Sequence, residues 1–79
     1  MMNKNCLTDL CEGQRATVKE IIAGAGMRRR LQDIGLIGGT SVECVQASPF
    51  GDPVAYLIRG AVIALRKEDS GCVLLNPSI

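Results

Sequence analysis

The 79-residue chain has no histidine and no tryptophan, and Phe50 and Tyr56 are its only aromatic residues. Without histidine it lacks the one side chain that ordinarily titrates near neutral pH, and with it the commonest general base and metal ligand. No nucleophile elbow, phosphate-cradling glycine loop with a lysine, or convincing carboxylate pair replaces it, so the sequence reads as non-enzymatic. Charge of either sign is not in excess, with 9 basic against 8 acidic residues, whereas a dedicated nucleic-acid or membrane-surface binder usually shows a larger basic excess. The apolar run from Ala61 to Leu65 falls far short of the ~20 residues that span a bilayer. Met1 to Cys6 contains no apolar export segment, so the expected location is the cytoplasm. The chain is also too short to enclose a typical ligand pocket of about 300–1,000 Å³ in its own core.

What the chain does have is aliphatic: 47% of residues are hydrophobic, so the core is expected to consist of Ile, Leu, Val, Ala and Met. Residues 1–79 are expected to form one small domain. The densest local signal is Pro49-Phe50-Gly51-Asp52-Pro53, which joins the β-prone runs Val42–Ala47 and Val54–Ile58. Two prolines fix φ and push Ser48 and Asp52 toward extended geometry. Gly51 can take positive φ, and Asp52 can bond nearby backbone N–H groups. The segment therefore reads as a rigid hairpin tip.

Arg15 to Ile22 reads as a first strand, with Ala16, Val18 and Ile22 on one side, Thr17, Lys19 and Ile21 on the other, and a bulge or solvated end near Glu20. Ala23-Gly24-Ala25-Gly26 is expected to bend. Met27, Leu31 and Ile34 then follow helical spacing, with Gly35 as the stop. Thr40–Ala47, Val54–Ile58, Ala61–Arg66 and Cys72–Leu75 read as four further strands, with Arg59-Gly60 as a tight turn. Leu7–Leu10 reads as a short lead-in turn, and Lys67–Gly71 suits a single helical or 3-10 turn. Five strands and one short helix in this length point to a mainly β fold, a small closed SH3-like barrel, with an open sheet carrying a packed helix as the alternative.

These residues resemble the FeoA family of ferrous iron transport proteins. The resemblance is carried by Leu7, Leu10 and Gly13, by Arg30-Leu31, Asp33, Gly35-Leu36 and Gly39, by the 49–53 tip, and by Arg59-Gly60 with Ile63-Ala64-Leu65-Arg66. It implies a cytosolic SH3-like barrel that supports FeoB, the membrane ferrous-iron transporter with a cytosolic GTPase domain. Similar barrels end iron-dependent repressors; with no helix-turn-helix segment ahead of the barrel here, the stand-alone transport accessory is the expectation. A detached regulatory domain of that repressor type and a small metal-binding module are the alternatives. One departure is Gly38-Gly39, where the family often has Pro-Gly, which puts the stiffness of that corner in question.

The candidate partner-binding residues are Arg28, Arg29 and Arg30 on the helix, and Phe50 and Asp52 at the tip. The arginines can form a solvated helix face with an Arg29–Asp33 pair, a docking patch for an acidic partner, or an arginine finger; three in a row look more like a field. They are too few, and too far from any aromatic, for nucleic acid. For Phe50 the preferred reading is a ring folded back to plug the barrel end, against an exposed anchor for a partner. Asp52 reads as a turn cap. The four cysteines are expected to be free thiols, Cys44 and Cys72 as small buried hydrophobes. Cys6 and Cys11 miss the usual zinc spacing, so no metal site or cofactor is expected. Direct membrane insertion is not expected, and oligomerisation through strand edges stays open.

Overall fold

A computed structural model describes residues 6–76. A 3-10 turn (Leu7–Asp9) leads into β1 (Arg15–Ile21), α1 (Ala25–Asp33), β2 (Ser41–Ala47), β3 (Val54–Ile58), β4 (Ala61–Leu65), the single helical turn α2 (Lys67–Ser70) and β5 (Val73–Leu75). The strands form one antiparallel sheet in the order β4-β3-β2-β1-β5. Its inner face and α1 enclose one aliphatic core of Leu7, Val18, Ile21, Leu31, Leu36, Val42, Ile58, Leu65, Val73 and Leu75, completed by Cys44 and Tyr56. Every strand contributes to that single cluster, so the sheet wraps around it. Among the described residues no ladder joins β4 to β5, so the wrap is not closed by hydrogen bonds, unlike the closed barrel expected.

β1 shows how a bulge rewrites a strand's pattern. Its pairing with β5 shifts between Val18 and Glu20, and the extra residue reverses the side-chain alternation beyond it. Val18 and Ile21 therefore both face the core, whereas Ile22, expected inside, is 57% exposed. The bulge was legible in the sequence; the change of phase that follows from it sends Ile22 out.

The helix begins two residues earlier than expected, taking Ala25 and Gly26 into its first turn. It ends in a Schellman motif. Gly35 has φ +107, its N–H donates to Gln32 O at 2.9 Å, and Leu36 N–H donates to Leu31 O at 3.1 Å. Leu31 and Leu36, the residues so bridged, are both buried, as that motif's apolar contact requires. Gly39 N–H donates to Val18 O at 2.8 Å, and Val18 N–H donates to Thr40 O at 2.9 Å. The Gly38-Gly39 corner is thus tied to β1 on both sides without the family's proline.

The β3–β4 turn needs two left-handed residues in succession, and Arg59 and Gly60 supply them at φ 51 and 85. That geometry matches the twist of the flanking strands and fixes their register at Ile58↔Ala61.

Candidate functional site: an arginine face and a rigid tip

The tip is organised by Ser48, which the sequence marks only as an extended residue before proline. Its Oγ accepts from the N–H groups of Phe50 (3.3 Å) and Asp52 (3.2 Å) and donates to Asp52 O (3.1 Å). Gly51, at φ 83, donates its N–H to Ser48 O at 2.8 Å. A serine just ahead of Pro-x-Gly is a recognised turn former, so the signal was present. Asp52 does not cap its own turn. Its Oδ1 accepts from Lys67 N–H at 2.9 Å, the first N–H of α2, which has no cap from its own flanking Arg66. A carboxylate there satisfies an orphan donor and complements the positive end of the turn. The tip is thereby fastened to α2, and a Cβ at Gly51 would lie 3.8 Å from Lys67 Nζ, so a cation sits under the loop.

With its backbone fixed from both sides, the tip presents Phe50 outward. The ring is 93% exposed and plugs nothing. Tyr56, the other aromatic residue, is the one that is buried, and its hydroxyl donates to Leu7 O at 3.2 Å. Burial pushes the Tyr56 phenol above its usual range, opposed by the neighbouring Ser70 hydroxyl. Ser70 is itself buried, close enough to influence the phenol but without hydrogen-bond geometry to any partner among the described residues.

Arg28, Arg29 and Arg30 are exposed on α1, while Met27, Leu31 and Ile34 turn toward the core. Arg15–Glu43, at 3.7 Å, is the single ion pair among the described residues, so Arg29 and Asp33 do not form the expected one. Among the described residues no hydrogen bond or ion pair holds one of these arginines in a fixed pose, which suits a field of charge better than a finger.

The two groups of candidates lie apart. Gly35, just after α1, packs against Ile58 and Arg59, at the opposite end of β3 from the tip. Five extended residues separate these ends, a span of about 15 Å. The arginines form one surface and Phe50 with Asp52 another.

The cysteines give no metal centre among the described residues, where no group of three or more Cys, Asp or Glu converges. All four are free thiols. Cys44 is buried, and burial, then Glu12, pushes its thiol above the usual range. Cys72 is only partly buried. Glu12 fastens two elements together. Its Oε2 accepts from Ala47 N–H at 2.9 Å, tying the loop before β1 to the end of β2. No helix among the described residues is long and apolar enough to cross a membrane.

With this geometry in place, comparison with known proteins settles the family. The FeoA domain model matches residues 5–77. The chain belongs to the FeoA family. It is 31% identical over 64 residues, 81% of its own length, to the Fe(2+) transport protein A/Fe(2+) transporter FeoB fusion protein of Porphyromonas gingivalis, and it spans 8% of that protein's length. The FeoA-like protein of Clostridium acetobutylicum superposes with a TM-score of 0.85 at 28% identity, covering 96% of this chain and 88% of that one. Stenotrophomonas maltophilia FeoA, a prokaryotic SH3 domain protein solved with zinc, gives 0.80 at 25% identity, covering 90% and 88%. The fold of this FeoA chain is therefore SH3-like, and the family to which it belongs is one of ferrous iron transport.

Proposed function

We propose that this FeoA chain is a non-enzymatic cytoplasmic accessory that binds the cytosolic region of a FeoB-type ferrous iron transporter. The observation that carries this reading is the Porphyromonas gingivalis protein, in which a relative of this chain shares one polypeptide with FeoB. Covalent linkage keeps two modules at millimolar effective concentration, an arrangement suited to modules that act on each other. The exposed arginines of α1 and the outward Phe50 are the contact surfaces, with Asp52 holding the tip in position. Such a module acts by binding two states of the transporter with unequal affinity and so shifting their populations.

Calorimetric titration of the transporter's cytosolic domain tests the reading, with a dissociation constant below about 100 μM expected. Reversing two surface charges, R28E with R29E, should weaken binding about tenfold at low salt. Neither side chain supports the core, so the melting temperature should move by less than about 4 °C. Absence of binding at that concentration refutes the proposal. A single arginine whose loss abolished an acceleration of GTP hydrolysis greater than about tenfold would replace the docking face with a catalytic arginine.

A further inference from the structure

We infer that the free edge of β4 is a strand-addition site for an extended partner segment whose apolar centre is bracketed by acidic residues. The two edges of the sheet are treated differently. β5 is three residues long, its pairing with β1 is interrupted by the bulge, and Cys6 bridges to Leu74 beside it. Those features blunt an edge against further pairing. β4 has none of them: Ala61-Val62-Ile63-Ala64-Leu65 carries no charge and no proline, and it pairs with β3 in unbroken register.

The Arg59-Gly60 turn also decides which backbone groups are spare. A two-residue turn closes on a mutually hydrogen-bonded pair, so Ile58/Ala61, Tyr56/Ile63 and Val54/Leu65 use their groups within the sheet. The N–H and C=O groups of Val62 and Ala64 point outward from the edge. Among the described residues no backbone hydrogen bond outside the strands engages either residue. Their side chains lie on the outer face, where Val62 is 62% exposed. An added strand would satisfy all four backbone groups and set its own side chains beside Val62 and Ala64 on that face.

Charge selects the occupant. Arg59 precedes β4, Arg66 and Lys67 follow it, and all three are exposed. A second copy pairing antiparallel, in the register that opposes Val62 to Ala64, would bring the Arg59 end of each copy beside the Arg66 and Lys67 end of the other. That like-charge contact disfavours self-association through this edge and favours a segment with acidic ends. The inference concerns a surface distinct from α1 and Phe50 and does not depend on the identity of the transporter.

The test is a ¹⁵N NMR titration of the intact chain with a capped peptide whose Val-Thr-Val-Thr-Val core is bracketed by aspartate and glutamate. Saturable shifts should centre on Ala61 to Arg66, and exchange of the Val62 and Ala64 amides should slow about tenfold. The same core bracketed by lysines should bind about tenfold more weakly at low salt, and R66E should narrow that difference. N-methylation of the alternate peptide amides that face β4 should abolish binding, whereas methylation of the others should not. Shifts centred elsewhere, equal binding of both peptides, or no saturation by about 1 mM overturns the inference. So does concentration-dependent pairing of the chain with itself through β4.

Discussion

Truncation of Phe50 separates a contact residue from a structural one more sharply than any other change. A phenylalanine side chain carries about 150–200 Å² of apolar surface. With 93% of the residue in water, nearly all of it is available for burial by a partner. At about 25 cal/mol per Å² this sets a ceiling of roughly 4 kcal/mol. Ordering of partner side chains around the ring removes about 1 kcal/mol, leaving about 2–3 kcal/mol. F50A should then raise the dissociation constant for the transporter's cytosolic domain by about 30- to 150-fold. The tip itself is held by Ser48 and by the Asp52–Lys67 contact, neither of which involves the ring. Stability should therefore stay within about 0.5 kcal/mol, less than about 4 °C in melting temperature. F50L should fall between wild type and F50A in affinity. Paired calorimetry and thermal melts read both quantities. Affinity unchanged to within about twofold, or a melting temperature lowered by more than about 8 °C, would refute the assignment of this ring as an anchor.

Three further substitutions probe what positions the two surfaces. G35A puts a Cβ 2.6 Å from Arg59 Cδ and 3.2 Å from Ile58 Cγ2 at φ +107, so a loss of about 2–3 kcal/mol in urea unfolding is expected; adding R59A should recover only the steric part. D52A leaves the first N–H of α2 without its carboxylate and should cost about 1 kcal/mol, with faster amide exchange at Lys67. Unchanged exchange there would show that the contact does not hold the tip. Y56F removes the donor to Leu7 O, which keeps a second donor in Leu10 N–H at 3.2 Å, so a modest loss of about 1 kcal/mol is expected by denaturant titration.

Local signals carried most of the fold. The spacing of Met27, Leu31 and Ile34, the stop at Gly35 and the left-handed pair Arg59-Gly60 each act through neighbouring backbone, and each stands where the sequence placed it. The strands could be located for the same reason. Long-range consequences were harder to read. Ile22 turned outward because the bulge changes phase only through pairing with β5, a strand more than fifty residues away. Asp52 was recognised as a cap, but its acceptor role is toward Lys67, which tertiary structure alone brings near. Phe50 was the least legible, since a stiff loop can aim a ring either way, and here it aims it outward. The open edge of β4 stood only as the alternative because five strands in so short a chain suggest closure, whereas the short, bulged β5 does not reach across.

The distance between the arginine helix and the loop bearing Phe50 has a consequence for selectivity. β3, which connects the two regions, is laddered on both flanks, by β2 and by β4, so it can neither stretch nor swivel on its own. The domain is thus a calliper of fixed gap. A transporter conformation offering an acidic patch and an aromatic-sized cleft at that gap would be gripped twice, and one offering them closer together or farther apart only once. Discrimination would then come from spacing rather than from the strength of either contact.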